Sequence, residues 1–151
     1  MDSISYFQAQ STDIADLVSL LATLFSIEQD FKPDFSNQEK GLALLIRSPN
    51  TGTICVAKNT KGKVIGMVSA QLVISTAQGA LSAWVEDMVV EEAYRGQGIG
   101  KKLLQQALDW AKAKGATRAQ LLVDLSNSEA LGYYQHLQWE STQLQARRIF
   151  L

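Results

Sequence analysis

The sequence is poor in cysteine, histidine and proline. A single cysteine, Cys55, rules out an intrachain disulfide, and a reducing cytoplasm suits such a chain. One cysteine and one histidine, His136, fall short of an all-protein zinc site, so no metal is expected. Cys55 lies in Thr53-Ile54-Cys55-Val56-Ala57, which has the character of a strand, so it is expected to be a small buried apolar residue. Both prolines, Pro33 and Pro49, lie in the first third, and no Pro-, Gly- or Ser-rich linker divides the chain. No apolar run approaches the roughly 18–20 residues of a membrane span. Met1-Asp2-Ser3-Ile4 lacks the positive region and apolar run of a secretory signal. Charge of one sign is missing as well: 14 Lys and Arg face 15 Asp and Glu, a net charge of −1. That balance leaves no electrostatic footprint for nucleic acid. We therefore expect a soluble, cytoplasmic protein with no nucleic-acid and no membrane partner.

What is present fits a globular chain: 46% hydrophobic and 19% charged residues. A chain of 151 residues buries roughly 68–70% of the surface its unfolded form exposes, enough for a core without staples. A single domain over residues 1–151 is expected.

Periodicity places the elements. Ile4–Ala9 is a short strand. Ser11 or Thr12 opens a helix in which Ile14, Leu17, Val18, Leu21, Leu24 and Phe25 recur at helical spacing. Ser36 and Glu39 have capping-box spacing for a second helix, which Pro49 ends. Thr53–Ala57 and Lys63–Ser75 form a hairpin about the turn Asn59-Thr60-Lys61-Gly62. Leu81–Val90 is the next strand, Gly98–Lys114 the clearest helix, and Gly115 its stop. Gln120–Leu125 is a buried strand, Ser126–His136 a helix, and Trp139 onward one or two last strands. This order predicts an α+β fold: a central mixed, mostly antiparallel sheet with helices on both faces.

The most informative stretch is Arg95-Gly96-Gln97-Gly98-Ile99-Gly100-Lys101, between a strand and the best helix. Glycines allow close backbone approach and positive φ. The first helix N–H groups are unpaired and sit at the positive end of the dipole. Together these make a phosphate site. The spacing is neither the G-x-G-x-x-G of a dinucleotide fold nor a Walker A loop.

Arg95-Gly96-Gln97-Gly98-Ile99-Gly100 resembles the R/Q-x-x-G-x-G/A acyl-CoA signature of the GNAT superfamily of N-acetyltransferases. Trp84–Val90 resembles the strand that leads into that motif. Asn127-Ser128-Glu129-Ala130-Leu131-Gly132-Tyr133-Tyr134 resembles the family's N-x-x-A-x-x-[FY]-Y helix. One departure stands out: Gln138-Trp139 occurs where the family usually has a Gly–aromatic pair.

The resemblance implies acetyl-CoA as cosubstrate and a primary amine, of a small molecule or a protein, as acceptor. It implies that the backbone of Gln97, Gly98, Ile99, Gly100 and Lys101 wraps the pyrophosphate, with Gly96 in the same turn and Arg95 adding charge. Met88 and Val90 would lend backbone groups to the pantetheine arm, and Asn127 would reach it or the phosphates. Asn127 is equally a plain helix cap. Tyr134 occupies the position of the family's general acid, beside the cofactor sulfur. Tyr133 and Tyr134 point about 100° apart on a helix, so one belongs to the core. The N–H of Met88 or Val89 is the expected oxyanion donor.

Glu86 is the candidate base. Strand alternation places it with Met88 and Val90, and opposite Asp87, unless a bulge reverses the parity. Glu28, Asp30 and Asp34 lie between the first two helices, where the family builds its acceptor wall. Glu28, Asp30 and Glu86 are therefore candidate substrate residues, or else the first two belong to a solvated acidic loop. A non-catalytic acyl-CoA sensor or scaffold is the rival reading. Family members are often homodimers, and a C-terminal strand would offer an edge for one.

Overall fold

The structure is a computed structural model that describes residues 2–27 and 34–151. They fall into two compact units, 1–120 and 121–151, taken here in turn.

The first unit runs β1 (Ser5–Gln8), α1 (Ile14–Ile27), α2 (Phe35–Ile46), β2 (Gly52–Lys58), β3 (Val64–Ser75), β4 (Ala80–Val90), α3 (Ile99–Ala113) and β5 (Ala116–Leu121). The five strands lie in one sheet in the order β1-β2-β3-β4-β5. The first three pairs are antiparallel and the sheet is mixed, so β4–β5, joined through α3, is the parallel pair. This is the expected α+β architecture.

Register assigns the two faces. Ile54, Val56, Met67 and Val89 pack with Leu17, Val18, Leu20 and Leu21 of α1 and Leu42 of α2. The alternate residues Val68, Ala70 and Val85 are buried on the other face, where Leu103, Leu104, Ala107 and Ala111 of α3 are buried too. Gly66 permits that close approach: a Cβ there would sit 3.1 Å from Leu103 Cδ1 and 3.4 Å from Val90 Cγ2. Asp13, only 5% exposed and immediately before α1, ties the entry to that helix to β2 through Lys58 Nζ at 2.7 Å and accepts from the Gln10 N–H at 2.9 Å.

Two expectations for this unit are corrected. Helix α2 is capped by Asp34, whose Oδ1 accepts from the Asn37 N–H at 3.0 Å, rather than by Ser36. Strand β5 begins at Ala116, four residues earlier than Gln120. Gly115, at φ 100°, turns the chain immediately after α3. Polar Thr117 then pairs with Gln78, and Arg118 with Ser75 and Ser82.

The second unit holds α4 (Ser128–His136), capped by Asn127. Residues 139–151 form no strand, contrary to expectation, and Leu144, Ile149, Phe150 and Leu151 are exposed. Among the described residues no helix is long and apolar enough to cross a membrane, and no cluster of His, Cys, Asp and Glu could hold a metal ion.

Candidate active site

Strand β4 ends at Val90, and the turn that follows is fastened at several points. The Glu91 N–H donates to the Ile65 carbonyl at 2.8 Å, and Lys63 Nζ meets Glu91 Oε1 at 2.6 Å. The Tyr94 hydroxyl donates to Asp2 at 3.1 Å and accepts from Asn59 Nδ2 at 3.1 Å. Arg95 Nε donates to the Val90 carbonyl at 2.9 Å, which folds the Arg95 side chain back onto the strand end. Sequence reasoning missed Tyr94 and Asn59 as anchors, because their partners are 35 and 92 residues away from Tyr94.

The glycines then do what their spacing implied. Gly96 and Gly98 have φ of 76° and 77°, and a Cβ on either would meet nothing within 4 Å. The protein therefore leaves open space beside this backbone. Gly98 is the N-cap of α3, in the left-handed region and with no side-chain cap. The first helical bond runs from the Lys102 N–H to the Gly98 carbonyl at 3.1 Å. The N–H groups of Ile99, Gly100 and Lys101 come before it and have no intrahelical acceptor. Ile99 is buried at 3% exposure and pins the first turn, while Gln97 and Lys101 are exposed. The arrangement is a rigid strand–turn–helix with amides and a positive dipole end directed outward, suited to a pyrophosphate.

Strand β4 carries a β-bulge. Met67 pairs with Val89 but Ser69 pairs with Glu86, so Asp87 and Met88 together oppose Val68. Asp87 adopts φ 56° to make room, a conformation that Asp tolerates better than most residues. The extra residue reverses the parity expected from alternation. Glu86 shares a face with Val89, not with Val90, because their partners Ser69 and Met67 are two residues apart. Val90 faces α3. Glu86 and Asp87, expected on opposite sides, both line one cavity.

That cavity has a volume of about 530 Å³ and is built from α1, α2 and the facing strands; Leu42, Gln38, Asp34, Ser69, Glu86 and Asp87 are among its walls. Its size is that of a small-molecule site. Trp84 Nε1 donates to Glu86 Oε1 at 2.7 Å, and Ser69 Oγ donates to the Glu86 carbonyl at 3.1 Å. Gln38 is 7% exposed, and neither its amide oxygen nor its nitrogen has a hydrogen-bond partner among the described residues. Sequence reading missed Gln38, which carries no motif. Glu28 and Asp30 lie outside the described residues.

In the second unit Asn127 Oδ1 accepts from the Ala130 N–H at 3.0 Å, so its side chain caps α4. Tyr133 and Tyr134 lie edge to face at 5.4 Å, and the Tyr134 ring lies 6.1 Å from that of Trp139. The Tyr133 hydroxyl is buried with no partner among the described residues, and burial holds its pKa above the ordinary phenol value. Both tyrosines are half-buried.

The Acetyltransferase (GNAT) family model matches residues 17–139. An uncharacterized N-acetyltransferase of Methanocaldococcus jannaschii is 30% identical over 84 residues, 55% of this chain and 37% of that one. Glucosamine 6-phosphate N-acetyltransferase of Trypanosoma brucei brucei is 32% identical over 89 residues, 57% of each chain. The chain thus spans between about a third and three fifths of the length of these two curated relatives. Among solved structures, an aminoglycoside N-acetyltransferase in complex with CoA is 17% identical, with a TM-score of 0.79 over 100% of this chain and 95% of that one. The glycine turn, the bulged strand leading into it and a family match over most of the sequence agree: the chain belongs to the GNAT family of acetyltransferases.

Proposed function

We propose that the chain, as one domain over residues 1–151, is an N-acetyltransferase that moves an acetyl group from acetyl-CoA to a primary amine of a small molecule or a protein. The observation that carries this reading is the turn Arg95–Lys101, with two left-handed glycines, open space beside them and unpaired amides at the head of α3. The solved aminoglycoside N-acetyltransferase, a fold relative, holds CoA. A reducing cytoplasm suits the single buried thiol of Cys55.

The residues take the following roles. Amides of Gln97, Gly98, Ile99, Gly100 and Lys101 hold the pyrophosphate, with Gly96 shaping the turn and Arg95 adding positive charge. Backbone groups of Met88 and Val90, with Asn127, receive the pantetheine arm. When bound, acetyl-CoA supplies an activated acetyl thioester. Glu86, directly or through water, takes the proton that the acceptor amine loses on attack. The bulge at Asp87–Met88 takes those residues out of regular pairing with β3, which supports an N–H of Met88 or Val89 as the donor to the developing oxyanion. Tyr134 gives a proton to the departing sulfur, and a phenol near pKa 10 is acidic enough for that exchange.

Two measurements test the reading: calorimetric titration with CoA, and thiol release from acetyl-CoA with a broad panel of amines. Binding with amine-dependent thiol release is expected. Binding without turnover on any amine would mark a CoA sensor, and absence of binding would overturn the reading altogether.

A further inference from the structure

The phosphate turn is held differently at its two ends. Downstream, Ile99 is buried and anchors the first turn of α3. Upstream, the chain passes through Glu91 and the single turn Glu92–Tyr94, in which no residue is buried. Between the two ends stand Gly96 and Gly98, both at positive φ, and a Cβ on either would meet no protein atom within 4 Å. Glycine has more backbone freedom to lose than any other residue, so these positions do not fix their own amides. Amides that must meet a pyrophosphate together bind it best when they are ordered beforehand.

The upstream hold comes from the turn between β2 and β3. Asn59 Oδ1 accepts from the N–H groups of Lys61 and Lys63 at 3.0 and 3.1 Å, which shapes that turn. Its Nδ2 donates to the Tyr94 hydroxyl at 3.1 Å. One side-chain amide thus joins the hairpin turn to the residue directly before Arg95. The Tyr94 hydroxyl donates in turn to Asp2 Oδ2 at 3.1 Å, so its hydrogen and a lone pair are both engaged. Lys63 adds an ion pair to Glu91 at 2.6 Å, but the pair is partly exposed and such pairs contribute little. If the Tyr94 ring served packing alone, Phe would do as well. Instead, polar groups from two distant segments converge on its hydroxyl.

We propose that Tyr94, held by Asn59 and Asp2, is a positioning residue for recognition of the donor's pyrophosphate. It fixes the entry to the glycine turn, so that the amides of Gln97, Gly98, Ile99, Gly100 and Lys101 are ordered before the ligand arrives. This rests on the acetyltransferase reading and deepens its cofactor site. The effect belongs to the nucleotide end of the donor and not to the acetyl thioester, and that separation makes it measurable.

Tyr94→Phe keeps the ring and removes both hydrogen bonds. CoA affinity of the full chain, read by calorimetry, should fall about fivefold or more, the size of one or two ordinary hydrogen bonds. KM for acetyl-CoA should rise by a similar factor while kcat stays near its wild-type value. S-acetylpantetheine, an acetyl thioester without pyrophosphate, is the control donor, and its kcat/KM should be the same in both proteins. A merely structural defect would lower both donors alike. Asn59→Ala should cost less CoA affinity in the Tyr94→Phe background than in the wild type. Without CoA, backbone order parameters of Gly96, Gln97 and Gly98 from NMR relaxation should drop in Tyr94→Phe, while those of β3 hold. Unchanged CoA affinity, an equal loss with S-acetylpantetheine, or unchanged order parameters would each overturn the proposal. Failure of the wild-type chain to bind CoA would instead remove the acetyltransferase reading, and the order parameters would still decide whether Tyr94 holds the turn.

Discussion

Trp84 and Glu86 stand two residues apart on one face of β4, and the indole N–H holds the carboxylate at 2.7 Å. The contact lies immediately before the bulge at Asp87 and Met88. Glu86, although exposed, is thus oriented by a neutral donor where it lines the cavity. Trp84→Phe removes the donor and keeps the aromatic bulk. If this pair positions the base, kcat should fall several-fold while CoA affinity holds, and Glu86→Gln in the Trp84→Phe background should cost less than in the wild type.

Gly98 carries the cofactor prediction. Its φ of 77° disfavours any L side chain, by roughly 1–2 kcal/mol. A Cβ meets no protein atom within 4 Å, so clash inside the protein is not the issue. Gly98→Val should therefore fold with a modest loss of stability, yet lose CoA binding because the side chain fills the pyrophosphate space. Calorimetry with CoA, alongside a melting curve, checks both halves. A folded variant with unchanged CoA affinity would remove this turn from the site.

The two tyrosines should separate cleanly. The Tyr133 hydroxyl is buried without a partner among the described residues, so Tyr133→Phe should be neutral to stabilising by up to about 1 kcal/mol and leave kcat near normal. Tyr134→Phe should lower kcat by ~10²-fold or more with little change in CoA affinity, since general acids are typically worth ~10²–10⁴-fold. The reverse pattern would exchange their roles. Burial holds the Tyr133 pKa up, so its contribution is complete below the unfolded phenol pKa near 10 and is lost as pH rises through the higher folded value.

Much of this was legible in the sequence, for definable reasons. The α3 stripe and the glycine spacing depend on local geometry, and both hold within a residue or two. What escaped depends on pairing across distance. The apolar run Gln120–Leu125 outweighed the true strand Ala116–Leu121, whose Thr117 and Arg118 are tolerated because side chains from β3 and the β3–β4 turn satisfy them. The bulge inserts one residue, which alternation alone cannot reveal until the partner register is known. Ser36 had the better capping-box spacing, but Asp34 reaches the Asn37 N–H. Gln38 has no signal in sequence, because an unpaired buried amide is defined only by what surrounds it.

Cys55 should be chemically silent in the native state. It is 3% exposed on β2, and burial pushes its thiol pKa up to about 11. Little thiolate exists at neutral pH, and reagents reach it only on opening. Labelling by a thiol reagent should be slow in buffer and fast in denaturant. Because the folded pKa is raised, the stabilising effect of the protonated thiol is whole below about 9 and disappears as pH rises toward about 11. Melting curves between those limits should show a decline that Cys55→Ala reduces.

The riskiest assignment is Glu86 as base. An attacking amine must shed a proton, so a carboxylate that accepts it works only in its ionised form. Glu86→Gln keeps the shape and can still accept the Trp84 N–H through its amide oxygen, so the strand and bulge should persist. It cannot take up the proton. The variant should lose ~10²-fold or more in kcat. CoA affinity should be unchanged, because Glu86 lines the α1–α2 cavity and the phosphate turn lies beyond the end of the strand. A variant that keeps a near-normal rate would reduce Glu86 to orienting the acceptor. Asp87, which lines the same cavity on the other side of the bulge, would be the next carboxylate to replace.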